Sequence, residues 1–256
     1  HVAGSEEAFA NLMNDHAQRL GMFDTHFVNA TGLPDPEHYT TPRDITVVSE
    51  AMIREFPELY KLYSLREFTY NDIRQQNRNE LLWRDTNVDG IKTGHTSAAG
   101  YCLVASAKRD GMRLISVVMG TDSEKTRARE SLALLNYGFR FFETHRLYGA
   151  DDRLTRARVW MGDREQVALG LEKDLFVTIP RRQYDKLEAR TEIDPQVQAP
   201  LIKGQKVGEV VVELDGDEAG AAGRLFRAAE TVRSSAVQRV VAPIGDDLDR
   251  LLASTK

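Results

Sequence analysis

Near the amino terminus, side chains recur at the three- and four-residue spacing of amphipathic helices. Ser5 can cap the first repeat and Gly21 ends it, while Thr41 and Pro42 begin the second. The residues at this spacing are Phe9, Leu12, Met13, His16 and Leu20 in the first repeat, and Ile45, Val48, Met52 and Phe56 in the second. The pattern therefore predicts two helices joined by a turn-rich loop.

The strongest β signal is a pair of nearly continuous apolar stretches at residues 100–107 and 112–119. Lys108–Gly111 separates them, and its Asp-Gly pair is preferred in tight hairpin turns. Strands that are apolar along their whole length are covered on both faces, so we expect this hairpin at the centre of a sheet. A helix predicted after Ser123 would cover one face of that sheet.

The pattern changes after about Arg146. Short alternating stretches separated by turn residues predict a small all-β domain as far as residue 216. Gly220–Gly223 then resembles a linker, and apolar residues from Leu225 to Val240 fall at helical spacing among arginines. We therefore predict three parts, at residues 1–146, 147–216 and 217–256.

Composition narrows the classes of function. The 256 residues are 41% hydrophobic and 29% charged, which is typical of a folded globular protein. The net charge of −5, with Lys and Arg spread along the chain, argues against a nucleic-acid-binding surface. Cys102 is the single cysteine and is predicted to be a small core side chain within a strand. The histidines show no metal-ligand spacing, so we expect neither a metal nor a cofactor.

The polar stretch Asp89–Thr96 lies directly before the predicted hairpin. Lys92 offers a compact positive charge with three donors, and the Thr93 hydroxyl adds a directional hydrogen bond to the same anion. Gly94 has no side chain, so an extended peptide can lie against the strand and pair with its backbone. Together these residues indicate a site for the carboxylate of a peptide, although an isolated Lys-Thr-Gly also fits a solvated strand end.

The residues around this tripeptide carry a family resemblance. The chain resembles the low-molecular-mass penicillin-binding proteins, the serine D-alanyl-D-alanine carboxypeptidases of the peptidase S11 type, over roughly residues 1–216. The matching segments are Thr25–Phe27, Thr31–Leu33, Tyr39–Asp44, Asn77–Asn79, Leu81–Trp83, Val88–Thr96, Gly100–Ala107, Met112–Gly120, Tyr137–Thr144, Trp160, Gly162–Asp163, Thr178–Pro180 and Val207–Gly208. A run of matches this long outweighs the interpretation as a solvated strand end.

The resemblance implies an α+β fold. Residues 1–146 would form a partial β-lactamase-like or transpeptidase-like domain, an antiparallel sheet with helices. The small all-β domain and a helical tail would follow. It also implies a reaction in which a serine attacks the bond between two terminal D-alanines of a peptidoglycan stem peptide and forms an acyl-enzyme.

The resemblance also implies roles for residues. Lys92 and Thr93 would bind the terminal carboxylate of the substrate, with Gly94 and His95 shaping the strand beside it. Arg78 would reach the same anion or support Lys92, because a guanidinium group holds a carboxylate in a bidentate manner. Asp44 is a further candidate, and helix capping is its alternative role.

One feature of the family is absent from these 256 residues. Neither Ser-x-x-Lys nor Ser-x-Asn occurs at any serine of the sequence. In the family both motifs precede a segment that resembles Ser5–Asn14, so we expect the nucleophile and its lysine upstream of His1. No catalytic residue is therefore assigned within this chain, and we expect the isolated chain to be inactive.

Two other functions remain open. The chain could be a non-catalytic module that binds peptidoglycan or a partner protein. A β-lactamase shares Lys-Thr-Gly but is disfavoured by His95-Thr96 and by the β domain. The enzymatic interpretation implies a periplasmic protein that β-lactams inhibit if the missing segment is present. For the predicted tail, peripheral contact with the inner membrane and simple helix packing both remain possible.

Overall fold

The computed structural model describes residues 2–150, 152–218 and 226–228. The chain divides into two compact units, His1–Arg140 and Phe141–Lys256. The domain limits predicted from the sequence, at residues 146 and 216, stay a prediction.

The first unit contains both helices predicted near the amino terminus. The side chain of Ser5 accepts a hydrogen bond of 3.1 Å from the amide of Ala8, and Gly21 ends the first helix in the left-handed conformation at φ 87°. Thr41 caps the second helix by accepting a hydrogen bond from the amide of Asp44. The helices are α1 (Glu6–Leu20), α2 (Pro42–Glu55), α3 (Pro57–Tyr60), α4 (Leu81–Arg84) and α5 (Glu124–Phe141), which runs across the unit boundary.

The strands of the first unit form a hairpin and a three-stranded sheet. They are β1 (Glu67–Tyr70), β2 (Ile73–Gln76), β3 (Val88–Thr96), β4 (Gly100–Arg109) and β5 (Met112–Thr121). The sheet is antiparallel in the order β3-β4-β5, so β4 is central. Asp110 and Gly111 make the tight turn between β4 and β5 with φ of 48° and 86°, which confirms the predicted hairpin.

The second unit consists of strands with one short 3₁₀ turn, within the part of the chain that the structure describes. The strands are β6 (Phe142–Tyr148), β7 (Arg153–Arg158), β8 (Gln166–Gly170), β9 (Leu175–Pro180), β10 (Leu187–Ile193), β11 (Lys206–Leu214), β12 (Asp217–Glu218) and β13 (Phe226–Ala228). One sheet has the order β10-β11-β13-β8-β7 with β12 on β11, and β6 pairs with β9. The core of the second unit is built from buried apolar residues, which alternate with exposed residues along the strands. They include Leu169, Val177, Ile179, Leu201 and Val212.

The strand β13 lies within the stretch that the sequence assigns to a linker and helical tail. Its backbone pairs with both β11 and β8. The remainder of that predicted tail, residues 219–225 and 229–256, lies outside the described residues. Among the helices that the structure describes, none combines the length and the apolarity required to cross a membrane.

Candidate peptide-binding edge

The outer edge of β3 carries the predicted substrate residues. The first half of this strand contains the buried residues Val88, Gly90 and Ile91, whereas the second half contains the exposed residues Lys92, Gly94 and His95. One edge of β3 is hydrogen-bonded to β4, and no strand of the described part of the chain pairs with the other edge. The ammonium group of Lys92 donates a hydrogen bond of 2.7 Å to the carbonyl oxygen of Thr93. The edge therefore presents backbone groups and a cation together.

Gly94 is not required by the packing of the sheet. It lies opposite Cys102 on β4, and a Cβ atom at this glycine would be 3.7 Å from the Cβ of Cys102, an ordinary van der Waals contact. The sheet itself would therefore tolerate alanine. The glycine therefore leaves an exposed position of the strand without a side chain.

Cys102 departs from its predicted place in the core. Its side chain is only half-buried, and its thiol lies 3.4 Å from the carbonyl oxygen of Ala99. The reason is that it lines a cavity of about 320 Å³ against one face of the sheet. Lys92, Thr93 and Gly94 line the same cavity, together with apolar side chains of α2 and β5.

A buried cation supports the strand at Gly94. The side chain of Arg127 on α5 is 3% exposed, and its Nη1 donates a hydrogen bond of 3.2 Å to the carbonyl oxygen of Gly94. Its Nη2 lies 3.1 Å from Glu124, and its guanidinium group lies 5.5 Å from the centre of the Tyr101 ring. That ring in turn stacks on His95, with 3.9 Å between the ring centres. The hydrogen bond from Arg127 thus ties the exposed end of β3 to α5.

Arg127 was not predicted from the sequence as a residue of the site, although its position carries a signal. Arg127 lies four residues before Ser131 and eight before Leu135, on the buried stripe of α5. An arginine in the apolar register of a helix requires a buried partner. Here that partner is a backbone carbonyl of the candidate site, which the sequence does not reveal.

The start of β3 is held by a second polar network. Arg113 on β5 makes two hydrogen bonds to the carboxylate of Asp89, at 2.9 and 2.7 Å, and a third of 2.6 Å to the hydroxyl of Ser106. The hydroxyl of Tyr60 donates to the same carboxylate at 2.8 Å. Burial, reinforced by the negative charge of Asp89, raises the pKa of Tyr60 well above its usual value, so the hydroxyl stays protonated and keeps donating.

Arg78 lies beside β3, but its predicted role stays a prediction. The neighbouring Asn79 is 1% exposed, and its Nδ2 donates a hydrogen bond of 3.0 Å to the carbonyl oxygen of Gly90. This bond holds the backbone at Arg78 close to a point two residues before Lys92. The side chain of Arg78 is exposed and makes no hydrogen bond or ion pair with any residue that the structure describes.

Asp44 has a different role from both sequence interpretations. It is 2% exposed, and its Oδ2 accepts hydrogen bonds from the amide of Asp24 at 3.0 Å and the hydroxyl of Thr25 at 2.6 Å. The helix cap is Thr41 instead. Because its carboxylate is buried and already hydrogen-bonded, Asp44 ties the preceding loop to α2 and is not available to a substrate.

Known proteins similar to this chain identify its family. Residues 1–123 match the D-alanyl-D-alanine carboxypeptidase family, and residues 142–234 match the penicillin-binding protein 5 C-terminal domain. The structure of penicillin-binding protein 5 from Haemophilus influenzae aligns with a TM-score of 0.78 at 45% identity, covering 90% of this chain and 67% of that one. The chain belongs to the D-alanyl-D-alanine carboxypeptidase family.

Other members of the carboxypeptidase family show the same extent of similarity. DacA of Haemophilus influenzae is 47% identical over 225 residues, which is 87% of this chain and 57% of the relative. DacC of Escherichia coli is 48% identical over 218 residues, 84% of this chain and 54% of the relative. The chain thus spans just over half the length of these relatives. The predicted α+β fold with an all-β carboxy-terminal domain is confirmed.

Proposed function

We propose that this chain provides the substrate-binding edge of a serine D-Ala-D-Ala carboxypeptidase, which removes the terminal D-alanine from peptidoglycan stem peptides. The observation that carries the proposal is the edge of β3 with which no described strand pairs. This strand presents Lys92 and Thr93, and Arg127 donates a hydrogen bond to its Gly94 carbonyl. A peptide can add to this edge as a further strand. Its carboxylate would then meet the ammonium group and the hydroxyl.

Each residue has a separate task in the proposed site. Lys92 supplies the charge that attracts the carboxylate, and Thr93 supplies direction. Gly94 leaves room for the substrate backbone, and His95 bounds the strand where its ring stacks on Tyr101. The buried charge of Arg127 adds to the positive potential under the same strand, because charges interact more strongly where water is excluded. Arg78 is a second exposed cation near this edge.

The covalent step would follow the chemistry of the family. A serine oxygen attacks the carbonyl carbon between the two D-alanines, D-alanine leaves with a proton, and water then hydrolyses the acyl-enzyme. The 256 residues of this chain contain no Ser-x-x-Lys. The proposal therefore places the nucleophile outside these 256 residues, and the isolated chain should bind a peptide without cleaving it. A protein with this activity would work in the periplasm, where β-lactams would inhibit it.

A titration of the isolated chain tests the proposed edge. The ligand is an acylated peptide ending in D-Ala-D-Ala, and the reference is the same peptide with an amidated carboxyl terminus. We expect Lys92→Ala and Thr93→Ala to weaken binding of the free carboxylate about tenfold each, as the loss of a charge-assisted hydrogen bond would. Lys108→Ala, at an exposed lysine on β4, is the matched control and should bind normally. Equal affinity for the acid and the amide would contradict the proposal.

A second candidate is a non-catalytic module that binds peptidoglycan through the same edge, since Lys92 and Thr93 can hold a carboxylate without a nucleophilic serine. Labelled penicillin separates the two functions, because only a protein with a reactive serine forms a covalent adduct. The experiment requires the full-length natural protein as well as the isolated chain. Labelling of the full-length protein supports the enzyme, and its absence supports the binding module.

A further inference from the structure

Two asparagines flank Arg78 and attach its backbone on both sides. Asn77 is half-buried and Asn79 is 1% exposed, whereas Arg78 between them is exposed. The amide of Asn79 donates a hydrogen bond of 3.0 Å to the side-chain oxygen of Asn77, so the two asparagines are also joined to each other across the arginine. The two amide side chains are thus directed into the protein, while the cation between them faces outward.

Both polar atoms of the Asn79 side chain have a partner. Its Nδ2 donates a hydrogen bond of 3.0 Å to the carbonyl oxygen of Gly90, and its Oδ1 accepts one of 3.1 Å from the amide of Leu81. A buried amide group that lost these partners would destabilise the fold, because it could not exchange them for water. The first bond leads to β3 and the second to α4, so Asn79 joins these two elements next to Arg78.

Asn77 holds the same segment to the residues that precede β1. Its Nδ2 donates hydrogen bonds of 2.9 Å to the carbonyl oxygen of Leu65 and 3.3 Å to that of Tyr63. Its own amide donates a hydrogen bond of 2.7 Å to the carbonyl oxygen of Arg66. The backbone at Arg78 is therefore fixed on both sides, although the arginine side chain makes no hydrogen bond or ion pair with any residue that the structure describes.

The point of β3 to which Asn79 is bound is itself fixed. Asp89, the residue before Gly90, accepts two hydrogen bonds from Arg113 at 2.9 and 2.7 Å and one from the hydroxyl of Tyr60 at 2.8 Å. A Cβ atom at Gly90 would lie 2.7 Å from the same hydroxyl oxygen, so the tyrosine packs directly on this glycine. Because the backbone at Gly90 is held in this way, the hydrogen bond from Asn79 ties the segment that carries Arg78 to a rigid part of β3.

We infer that Asn79, assisted by Asn77, is a positioning residue that holds Arg78 beside Lys92 as the second cation of the carboxylate site. Lys92 lies two residues after Gly90, roughly 7 Å along an extended strand. A fixed backbone reduces the conformational freedom that a long side chain loses when its guanidinium group meets an anion. The inference rests on the proposed function, because it assumes that a peptide carboxylate binds at Lys92.

The place of the asparagine fits the direction of the proposed peptide. A peptide that lies along Gly94 and His95, with its carboxylate at Lys92, ends on the side of Gly90. That is the side to which the hydrogen bond from Asn79 attaches the arginine segment. A second cation is useful at this end, because the negative charge of the peptide is there and a guanidinium group can hold it in a bidentate manner.

A buried asparagine can also serve the fold alone, and the two roles predict different results. If Asn79 only stabilises the fold, its loss weakens the binding of any peptide on β3, whether or not Arg78 is present. If it acts through Arg78, its loss weakens only the binding of a free carboxylate, and only while the arginine is present. A double-variant cycle with Arg78 separates these results.

The experiment uses the full-length natural protein and two probes, an acyl-D-Ala-D-Ala peptide and the same peptide with an amidated carboxyl terminus. Rapid mixing measures the affinity before the peptide can be cleaved. We expect Arg78→Ala to weaken binding of the free acid about tenfold and Asn79→Ala about fivefold. The double variant should bind the acid no more weakly than Arg78→Ala does. The amide should bind equally to the parent protein and to all three variants.

Asn14→Ala is the matched control. The Nδ2 of Asn14 donates a hydrogen bond of 2.8 Å to the carbonyl oxygen of Phe27, and its Oδ1 accepts one of 2.7 Å from the amide of the same residue. This asparagine also ties two backbone segments together, but it lies on α1, which contributes no residue to the site. We expect Asn14→Ala to lower the melting temperature and to bind both probes as the parent protein does. Should Asn79→Ala not fold, Asn77→Ala replaces it in the same cycle with the same expectation.

The outcomes separate the inference from the proposed function. If Lys92→Ala does not weaken binding of the free acid, the proposed function fails and the inference fails with it. If Lys92→Ala weakens binding but Arg78→Ala or Asn79→Ala does not, only the inference is overturned. It is also overturned if Asn79→Ala causes the same loss with and without Arg78, or the same loss for the acid and the amide. A loss that is confined to the free acid and disappears in the Arg78→Ala protein supports it.

Discussion

Arg127 donates a hydrogen bond of 3.2 Å to the backbone carbonyl of Gly94 from a position that is almost closed to water. A backbone carbonyl group in a sheet commonly accepts a hydrogen bond from a neighbouring strand. The Gly94 carbonyl accepts one from a side chain of α5, and the positive charge of that side chain lies close to the proposed carboxylate site. This one hydrogen bond therefore stabilises the position of the strand and also places a positive charge near its edge.

We expect substitution of Arg127 to weaken peptide binding, although its side chain makes a single hydrogen bond to β3. We expect Arg127→Gln to destabilise the fold by about 1–3 kcal/mol, because the Gly94 carbonyl and Glu124 lose their charged partner, and to weaken binding of an acyl-D-Ala-D-Ala peptide. Arg127→Lys keeps the charge and should recover part of the affinity. Thermal unfolding and peptide titration measure the two effects. The control is Arg129→Gln, at a 70% exposed arginine of the same helix, and equal losses in both variants would refute the prediction.

The parts of the fold that follow local rules could be predicted from the sequence. Ser5, Gly21 and Thr41 stand where helix-capping chemistry places them, and the Asp110-Gly111 turn defines the hairpin by itself. The alternation of apolar residues likewise indicates the all-β second unit. Each of these features depends on residues that are close in the sequence.

The parts that depend on distant residues could not be predicted. Asp89 and Arg113 are paired across two strands, and nothing in their local sequence indicates it. Asp44 has a cap-like position, but its carboxylate is used by Thr25 of an earlier loop. The exposure of β1 and β2 could not be predicted either, since short apolar runs give no indication of whether they are covered.

The free energy of unfolding of the first unit should fall at acid pH, because the carboxylate of Asp85 becomes protonated there. Burial would raise the pKa of this carboxyl group, but hydrogen bonds from Asn87 and the guanidinium group of Arg109 outweigh it and hold the pKa below its usual value. A lowered pKa in the folded state means that the contribution is fully present above about pH 4 and is lost as the pH falls through the folded value.

This pH dependence can be measured against a variant. Asp85→Asn should be less stable than the parent protein at pH 7, and the difference should shrink as the pH falls below about 4. Urea unfolding at a series of pH values gives the comparison. Asp110→Asn, at an exposed aspartate in the hairpin turn, is the control and should show no such trend. A difference that stays constant down to pH 3 would show that the Asp85 charge is not the cause.

Two glycines of β3 should differ in how much stability they lose when alanine replaces them. A Cβ atom at Gly90 would lie 2.7 Å from the hydroxyl oxygen of Tyr60, whose side chain is itself buried, so alanine must displace the tyrosine from Asp89. We expect Gly90→Ala to lower the free energy of unfolding by about 1–3 kcal/mol, as overpacking does. At Gly94 the nearest atom would be 3.7 Å away, so Gly94→Ala should fold normally.

If β3 is the substrate edge, Gly94→Ala should lose more affinity for the peptide than Gly90→Ala, although Gly90→Ala loses more stability. Gly94→Ala adds a methyl group to an exposed position next to the proposed peptide, so we expect this variant to keep its melting temperature and to lose affinity for acyl-D-Ala-D-Ala peptide. Gly90→Ala should melt earlier, yet bind the peptide more tightly than Gly94→Ala at a temperature where both are folded. Calorimetric titration below both transitions makes the comparison. Normal affinity in Gly94→Ala would contradict the prediction that a peptide lies against β3 at this glycine.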